Sequence, residues 1–250
     1  SEFEDFAAGG IDFIQIHVAY DCLSIVIHRD NNFVKELTVE DLKKIFLAPG
    51  AKTWKEVNAE WPDEPIKIYA PGEQSGTYDY FFGDVVNKDE EGKPREEGVS
   101  FNEEDNVLVD GVSREKNAIG FFGCSYYFEN KDRLKAVPIV DPETGKAVSP
   151  TPETIESGEY APFSRPLFIY LKVKSLDSPA MKQFAEFYLS NAAKVSGKVG
   201  YVALPDDLYI KAYDHYENRL TGTHYLTADR EKRSGPLSEV YVKENLLKVE

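Results

Sequence analysis

The chain is 250 residues long, with 29 Lys+Arg against 44 Asp+Glu, a formal charge of −15. Its 42% hydrophobic content is enough to bury a sizeable core as one large or two smaller domains. No apolar run approaches the roughly 18–20 residues of a membrane-spanning helix, and so acidic a surface repels nucleic-acid backbones and excludes non-specific binding to them.

Residues 11–28 alternate and then run apolar through Leu23, Ile25, Val26 and Ile27, the pattern of a buried β-branched strand. The next stretch predicts a helix over 37–46. Thr38 is its N-cap, Asp41 follows three residues later, Leu42, Ile45 and Phe46 form the apolar stripe, and Pro49-Gly50 stop it. A short strand over 66–69 ends in Ala70-Pro71-Gly72. The small polar loop Glu73-Gln74-Ser75-Gly76-Thr77 then leads into a helix over 78–86. A turn of this kind exposes backbone N–H groups along the positive end of the helix dipole, a local anion site that an acidic surface does not forbid. Gly76 allows close approach to the backbone, and Ser75 and Thr77 add two rotatable hydroxyls. The same residues equally suit a plain N-cap, with Asp79 as the first-turn carboxylate.

Residues 87–105 are charged and turn-rich and read as an exposed excursion, with Asp89-Glu90-Glu91 as a solvated run. Order resumes over 107–112. Strands are predicted over 118–123 and 134–140, with a short helical or turn segment between them, and 141–163 reads as a proline-rich connector. Residues 164–173 form a strong strand. Ser178-Pro179 opens a helix as N-cap and N1, with Met181, Phe184, Phe187, Tyr188 and Val195 on one side. A second helix starts near Pro205, its stripe being Leu208, Tyr209, Ala212, Tyr213, Tyr216 and Leu220. Beyond Thr221 the pattern weakens into a polar tail, of which 240–247 can still dock. Strands and helices alternate, so the class is α/β. The two strong strands bracket a middle region with its own α/β pattern, which reads as an inserted lobe reached by two crossing segments.

Catalytic chemistry finds little support. No G-x-S-x-G is present, and residues 72–77 lack the spacing and lysine of a P-loop. Neither cysteine has a helix-start or basic context that would make a thiolate. His17, His28, His215 and His224 have no metal-ligand spacing. No catalytic residue, metal or cofactor is therefore expected. Cys22 and Cys124 read as two buried thiols or as one disulfide, since nothing in the sequence brings them within reach.

Four blocks resemble a known family in order and spacing. They are residues 38–58 (Thr-Val-Glu-Asp-Leu at the front, Thr-Trp-Lys-Glu-Val-Asn at the end), 71–82 with its Ser-Gly-Thr, Asn117-Ala118-Ile119-Gly120-Phe121-Phe122, and Ser164-Arg165-Pro166-Leu167-Phe168-Ile169-Tyr170. They look like the phosphate-binding proteins of phosphate ABC transporters, the PstS family, and in particular its SphX-like branch. The resemblance implies a two-lobed, type II periplasmic solute-binding fold that closes on an oxyanion. Residues 1–21 and 164–250 would form the first lobe and 22–163 the second. Ser75, Gly76 and Thr77 would donate to phosphate. Asp21 would accept the proton that phosphate retains at neutral pH and sulfate lacks, penalising the wrong ligand; alternatively it caps or pairs structurally at a strand end. The function implied is capture of inorganic phosphate between the lobes and delivery to a membrane permease, by a periplasmic or cell-surface monomer with no nucleic-acid partner. Another tetrahedral oxyanion, a phosphate ester, or a truncated fragment that no longer binds are the alternatives. Two departures stand out. Pro71 occupies a position where many members carry an Arg, so the cationic contact to the ligand is missing or supplied elsewhere, with Arg165 as one candidate. Nothing matches the family's opening segment, so the first lobe is expected to lack its N-terminal side and to show an unpaired sheet edge.

Overall fold

The computed structural model describes residues 2–88, 92–233 and 235–248; Asp89-Glu90-Glu91 fall outside them. Helix α1 (Glu2–Ala8) precedes the 16-residue strand β1 (Phe13–His28), in which every residue but Asp21 and His28 is buried. Helix α2 (Val39–Phe46) begins at Thr38 as the sequence predicts. The Thr38 hydroxyl accepts from the Asp41 amide at 3.0 Å, and the Asp41 carboxylate accepts from the Thr38 amide at 3.2 Å. After α3 (Trp54–Val57) and β2 (Lys67–Ala70) comes α4 (Gly76–Asp79), which continues as a π-helix over Tyr80–Val86. Strand β3 (Val99–Phe101), α5 (Asp105–Arg114), β4 (Ala118–Gly123), α6 (Cys124–Glu129) and β5 (Leu134–Ala136) follow. A small ribbon of β6 (Ile139–Val140) and β7 (Ala147–Val148) leads to α7 (Pro152–Glu156) and β8 (Ser164–Lys172). Helices α8 (Pro179–Lys198), α9 (Asp206–Glu217) and α10 (Leu237–Val240) complete the order.

The chain forms two compact units. Unit 1 comprises Ser1–Asp21, Ile155–Glu159 and Arg165–Glu250; unit 2 comprises Cys22–Thr154 and Tyr160–Ser164. Unit 2 is built on a sheet ordered β3-β2-β4-β1-β5. Strand β4 lies antiparallel to β1, with Leu23 opposite Gly123, and parallel to β2, with Tyr69 opposite Gly120. A Cβ at Gly120 would lie 2.7 Å from the Tyr69 carbonyl, so only glycine lets these strands lie under Val112 of α5. Phe46, Phe81 and Phe121 meet in the core, with Phe81 and Phe121 stacked at 3.8 Å between centroids. The β1–β4 register, continued one residue outward, sets Cys22 opposite Cys124, and the two are disulfide-bonded with Cα atoms 5.5 Å apart. The reading as free thiols is thereby corrected, and Cys124 does open a helix.

The expected excursion over 87–105 is exposed only in part. Val99–Phe101 pairs parallel to β2. Arg95 is buried, its guanidinium donating to the carbonyls of Ala51 and Glu97, both at 2.7 Å, and of Ile45 at 3.4 Å.

In unit 1, β8 pairs with β1. The Val173 amide donates to the Asp12 carbonyl, Gln15 meets Tyr170, and Asp21 meets Arg165, a descending series that makes the pairing antiparallel. Ile14, Ile16 and Val18 of β1 pack with Ala185 and Leu189 of α8 and with Ala212 and Tyr216 of α9. The face expected to bury α8 is not the one it buries. Ala185, Leu189, Ala192 and Ser196 are inside, whereas Met181, Phe184, Phe187 and Val195 are exposed, because the neighbours present pack against the small-residue side. The segment beyond Thr221 is likewise no loose polar tail. Gly222 bonds back to Phe13, Thr223 bridges to Leu247, and Thr223, His224 and Tyr241 are buried.

Candidate functional site

Ser75, Gly76 and Thr77 stand together at the strand-to-helix junction, as the sequence predicts, but the helix starts earlier than the predicted 78: Ser75 caps α4, and Gly76 and Thr77 are its first two residues. Ser75 is the N-cap with extended backbone (φ −87°, ψ 127°), and its Oγ accepts from the Thr77 amide at 3.2 Å. The Ser75 amide donates to the Gly72 carbonyl at 3.0 Å, and the Ser75 carbonyl accepts from Asp79 at 3.2 Å. The cap therefore occupies the Thr77 amide, which reduces the number of backbone donors expected here. Among the described residues, the Gly76 amide and the Thr77 hydroxyl have no hydrogen-bond partner. The Ser75 hydroxyl still has its proton to donate.

Gly76 is exposed, and a Cβ built on it would meet nothing within 4 Å. Its φ is not positive. The fold thus has no steric or conformational need for glycine at this position, and the missing side chain leaves the space outside the Gly76 amide open.

The helix behind the turn is firmly held. Tyr80 donates to the Pro162 carbonyl at 2.5 Å, and Phe81 and Phe82 are buried. Ahead of the turn, the Glu103 carboxylate receives the Gln74 amide at 3.4 Å and lies so close to Gly72 that a Cβ there would sit 2.0 Å from Oε1. Sequence reading missed Glu103, which looked like one more acid in a charged run. Burial, and then the Glu103 charge, push Asp105 up to about 6.

Asp21 lies on β1 at one of its two less-buried positions and pairs with Arg165 of β8. Arg165 Nε and a terminal guanidinium nitrogen lie 3.2 and 3.1 Å from Asp21 Oδ2, with side-chain exposures of 22% for Asp21 and 36% for Arg165. The two candidates from separate strands are thus neighbours, and Asp21 has the structural pairing that was its alternative reading. Among the described residues no group of three or more His, Cys, Asp or Glu side chains is arranged to hold a metal ion.

A family model described as a PBP superfamily domain matches residues 1–192. Protein SphX of Synechococcus elongatus is 40% identical over 225 residues, covering 89% of this chain and 65% of the relative. The phosphate-binding protein PstS of Staphylococcus haemolyticus is 42% identical over 211 residues, covering 82% and 64%. A solved structure, described as that of a possible phosphate binding protein from Planctomyces limnophilus, superimposes with a TM-score of 0.79 at 38% identity, covering 88% of this chain and 77% of that one. The chain therefore spans somewhat less than two thirds of the length of these two curated relatives.

Proposed function

The chain belongs to the PBP superfamily, with the two-lobed type II α/β fold of periplasmic phosphate-binding proteins, and from that premise we propose that it is an extracytoplasmic solute-binding protein that holds inorganic phosphate and delivers it to an ABC permease. The observation that carries this reading is the turn at Ser75–Thr77. Its exposed glycine, where a Cβ would meet nothing within 4 Å among the described residues, and its two hydroxyls stand together at the start of a continuous helical segment. Such donors suit a compact tetrahedral anion. The role requires binding and release without a chemical step, so no nucleophile or metal is needed. The Cys22–Cys124 bond supports placement outside the reducing cytoplasm. A monomer is the simplest working form.

Phosphate titrated into the 250-residue chain by calorimetry, with sulfate as control, tests the reading. Phosphate-selective binding is expected. Thr77→Ala, which removes one donor to a charged ligand, should weaken it by roughly tenfold to a hundredfold. Unchanged affinity in that variant would remove the turn from the site, and absence of binding to the chain would assign the function to a longer protein.

A second reading keeps the fold and changes the ligand to another tetrahedral oxyanion or a phosphate ester. It is favoured by one observation, that Asp21 is paired with Arg165. A carboxylate partly neutralised by an arginine repels a fully ionised oxyanion less, so its discrimination between phosphate and sulfate is weaker. Competition of bound phosphate by sulfate and arsenate separates the two readings.

A further inference from the structure

Asp21 is partly exposed on a strand that is otherwise buried, and it stands where that strand passes from unit 1 to unit 2, the first segment of unit 1 ending at Asp21 and unit 2 beginning at Cys22. A strand that changes partners has fewer local contacts at the change, and low contact density is what lets a backbone move. Here the backbone is tied on both sides. Tyr20 exchanges two backbone hydrogen bonds with Val202, at 2.8 and 3.0 Å, within unit 1. In unit 2 the Leu23 amide donates to the Phe163 carbonyl at 3.0 Å, and the Leu23 carbonyl accepts from the Tyr160 hydroxyl at 3.1 Å.

The residue next to Asp21 is held differently. Pairing of β1 with β4 runs from Ile27 opposite Ile119 to Leu23 opposite Gly123. Strand β4 ends there, since Cys124 is already the first residue of α6. The disulfide takes over at that point and fastens Cys22 to the start of α6, with both cysteines buried. Its place sets it apart from a general brace of unit 2, because the next residue along the strand is Asp21. A carboxylate penalises a fully ionised oxyanion only while it cannot turn away from it. A site group loose by about 1 Å fails at that task, so the residues behind it must themselves be locked.

We infer that the Cys22–Cys124 disulfide is the positioning element of Asp21, holding its carboxylate in place against Arg165 so that it discriminates between oxyanions that carry a proton and those that do not. The inference rests on the phosphate reading for the ligand and on the fold alone for the positioning. Two anchors act together on Asp21. Arg165 holds the side chain, through Nε at 3.2 Å and a terminal nitrogen at 3.1 Å, and the disulfide holds the backbone beside it. Without the bond the pair keeps its charges and loses its fixed place.

The experiment compares the oxidised chain with two disulfide-free forms. One is the same chain purified under dithiothreitol, its two thiols counted by mass spectrometry after alkylation; the other is Cys22→Ala/Cys124→Ala. Arg95→Met, which removes a buried guanidinium from the same unit, controls for a general loss of stability. Two quantities are read at a temperature where every form is folded. Hydrogen exchange at the Arg165 Nε–H, followed by NMR, needs no ligand and should speed up at least about threefold in both disulfide-free forms. The ratio of phosphate to sulfate affinity by calorimetry should narrow by about tenfold or more in both, with Arg95→Met matching the parent throughout. Unchanged exchange at Arg165, or an unchanged ratio, would overturn the proposal. An equal narrowing in Arg95→Met would overturn it as well, since the bond would then only brace the unit. If the oxidised chain binds neither anion, the phosphate reading falls, and the Arg165 exchange still decides whether the bond positions Asp21.

Discussion

Gly76 separates folding from binding more sharply than any other residue of the turn. A Cβ there would meet nothing within 4 Å among the described residues, and its backbone is not in the left-handed region. Gly76→Val should therefore leave thermal stability within about 0.5 kcal/mol of the parent, as surface substitutions usually do, while phosphate affinity drops at least about tenfold. Calorimetry and thermal melts on one preparation read both quantities; a variant that melts early would point instead to a structural need for glycine. Asp21 is the complementary case. Asp21→Asn removes the negative charge beside Arg165, so sulfate binding should strengthen relative to phosphate, narrowing their ratio by about tenfold or more. An unaltered ratio would leave Asp21 with its ion pair to Arg165 as its whole role. The turn of Gly76 was legible in the sequence, because a small polar stretch between strand and helix is a local pattern; Asp21 was singled out by the family resemblance. Their partners were not: that the Ser75 hydroxyl takes up the Thr77 amide, and that Arg165 meets Asp21 from another strand, depends on geometry and register that spacing does not encode.

The elements divide in the same way. The α2 capping box forms as read, since Thr38 and Asp41 need only each other. Arg95 shows the opposite case. In a charged stretch it reads as solvated, yet it holds three carbonyls contributed by Ile45, Ala51 and Glu97. Arg95→Met would keep the aliphatic stem and leave those acceptors without their donor, at a cost of about 1–3 kcal/mol in denaturant-derived stability. A loss below about 0.5 kcal/mol would mean that water replaces the guanidinium there. Helix α8 was legible as a helix, its N-cap and Pro179 included, but its inward face was not. With apolar residues on more than one side, periodicity marks which residues seek burial, and only the neighbours present decide which of them obtain it.

At the scale of the whole molecule, three buried histidines of unit 1 make stability depend on acid pH. His215 and His224 stack at 4.8 Å, Tyr241 packs on both, and His17 is hydrogen-bonded to the Tyr225 hydroxyl. Burial lowers all three, His17 well below its ordinary value, His215 to about 4 and His224 to about 3. Asp214 opposes the shift at His215, whereas Lys211 and Lys243 add to it, as Arg233 does at His224. A histidine kept neutral by the fold binds fewer protons than in the unfolded chain, where it titrates near 6.5. Stability from this cluster is thus complete above about pH 6.5 and declines as the pH falls toward 4–3. Both ring nitrogens of His224 are buried without a hydrogen-bond partner among the described residues, so His224→Phe should gain about 1 kcal/mol or more at pH 4.5 and less at pH 7.5. Urea titrations at the two pH values check it, and equal changes at both would mean that packing rather than protonation governs the site.

The covalent link between Cys22 and Cys124, 102 positions apart in sequence, turns most of unit 2 into a ring. A protease that severs the backbone once inside that ring, at the exposed Lys88 for example, opens the circle without releasing a fragment. The cut protein runs as a single band on a gel until a reductant divides it in two.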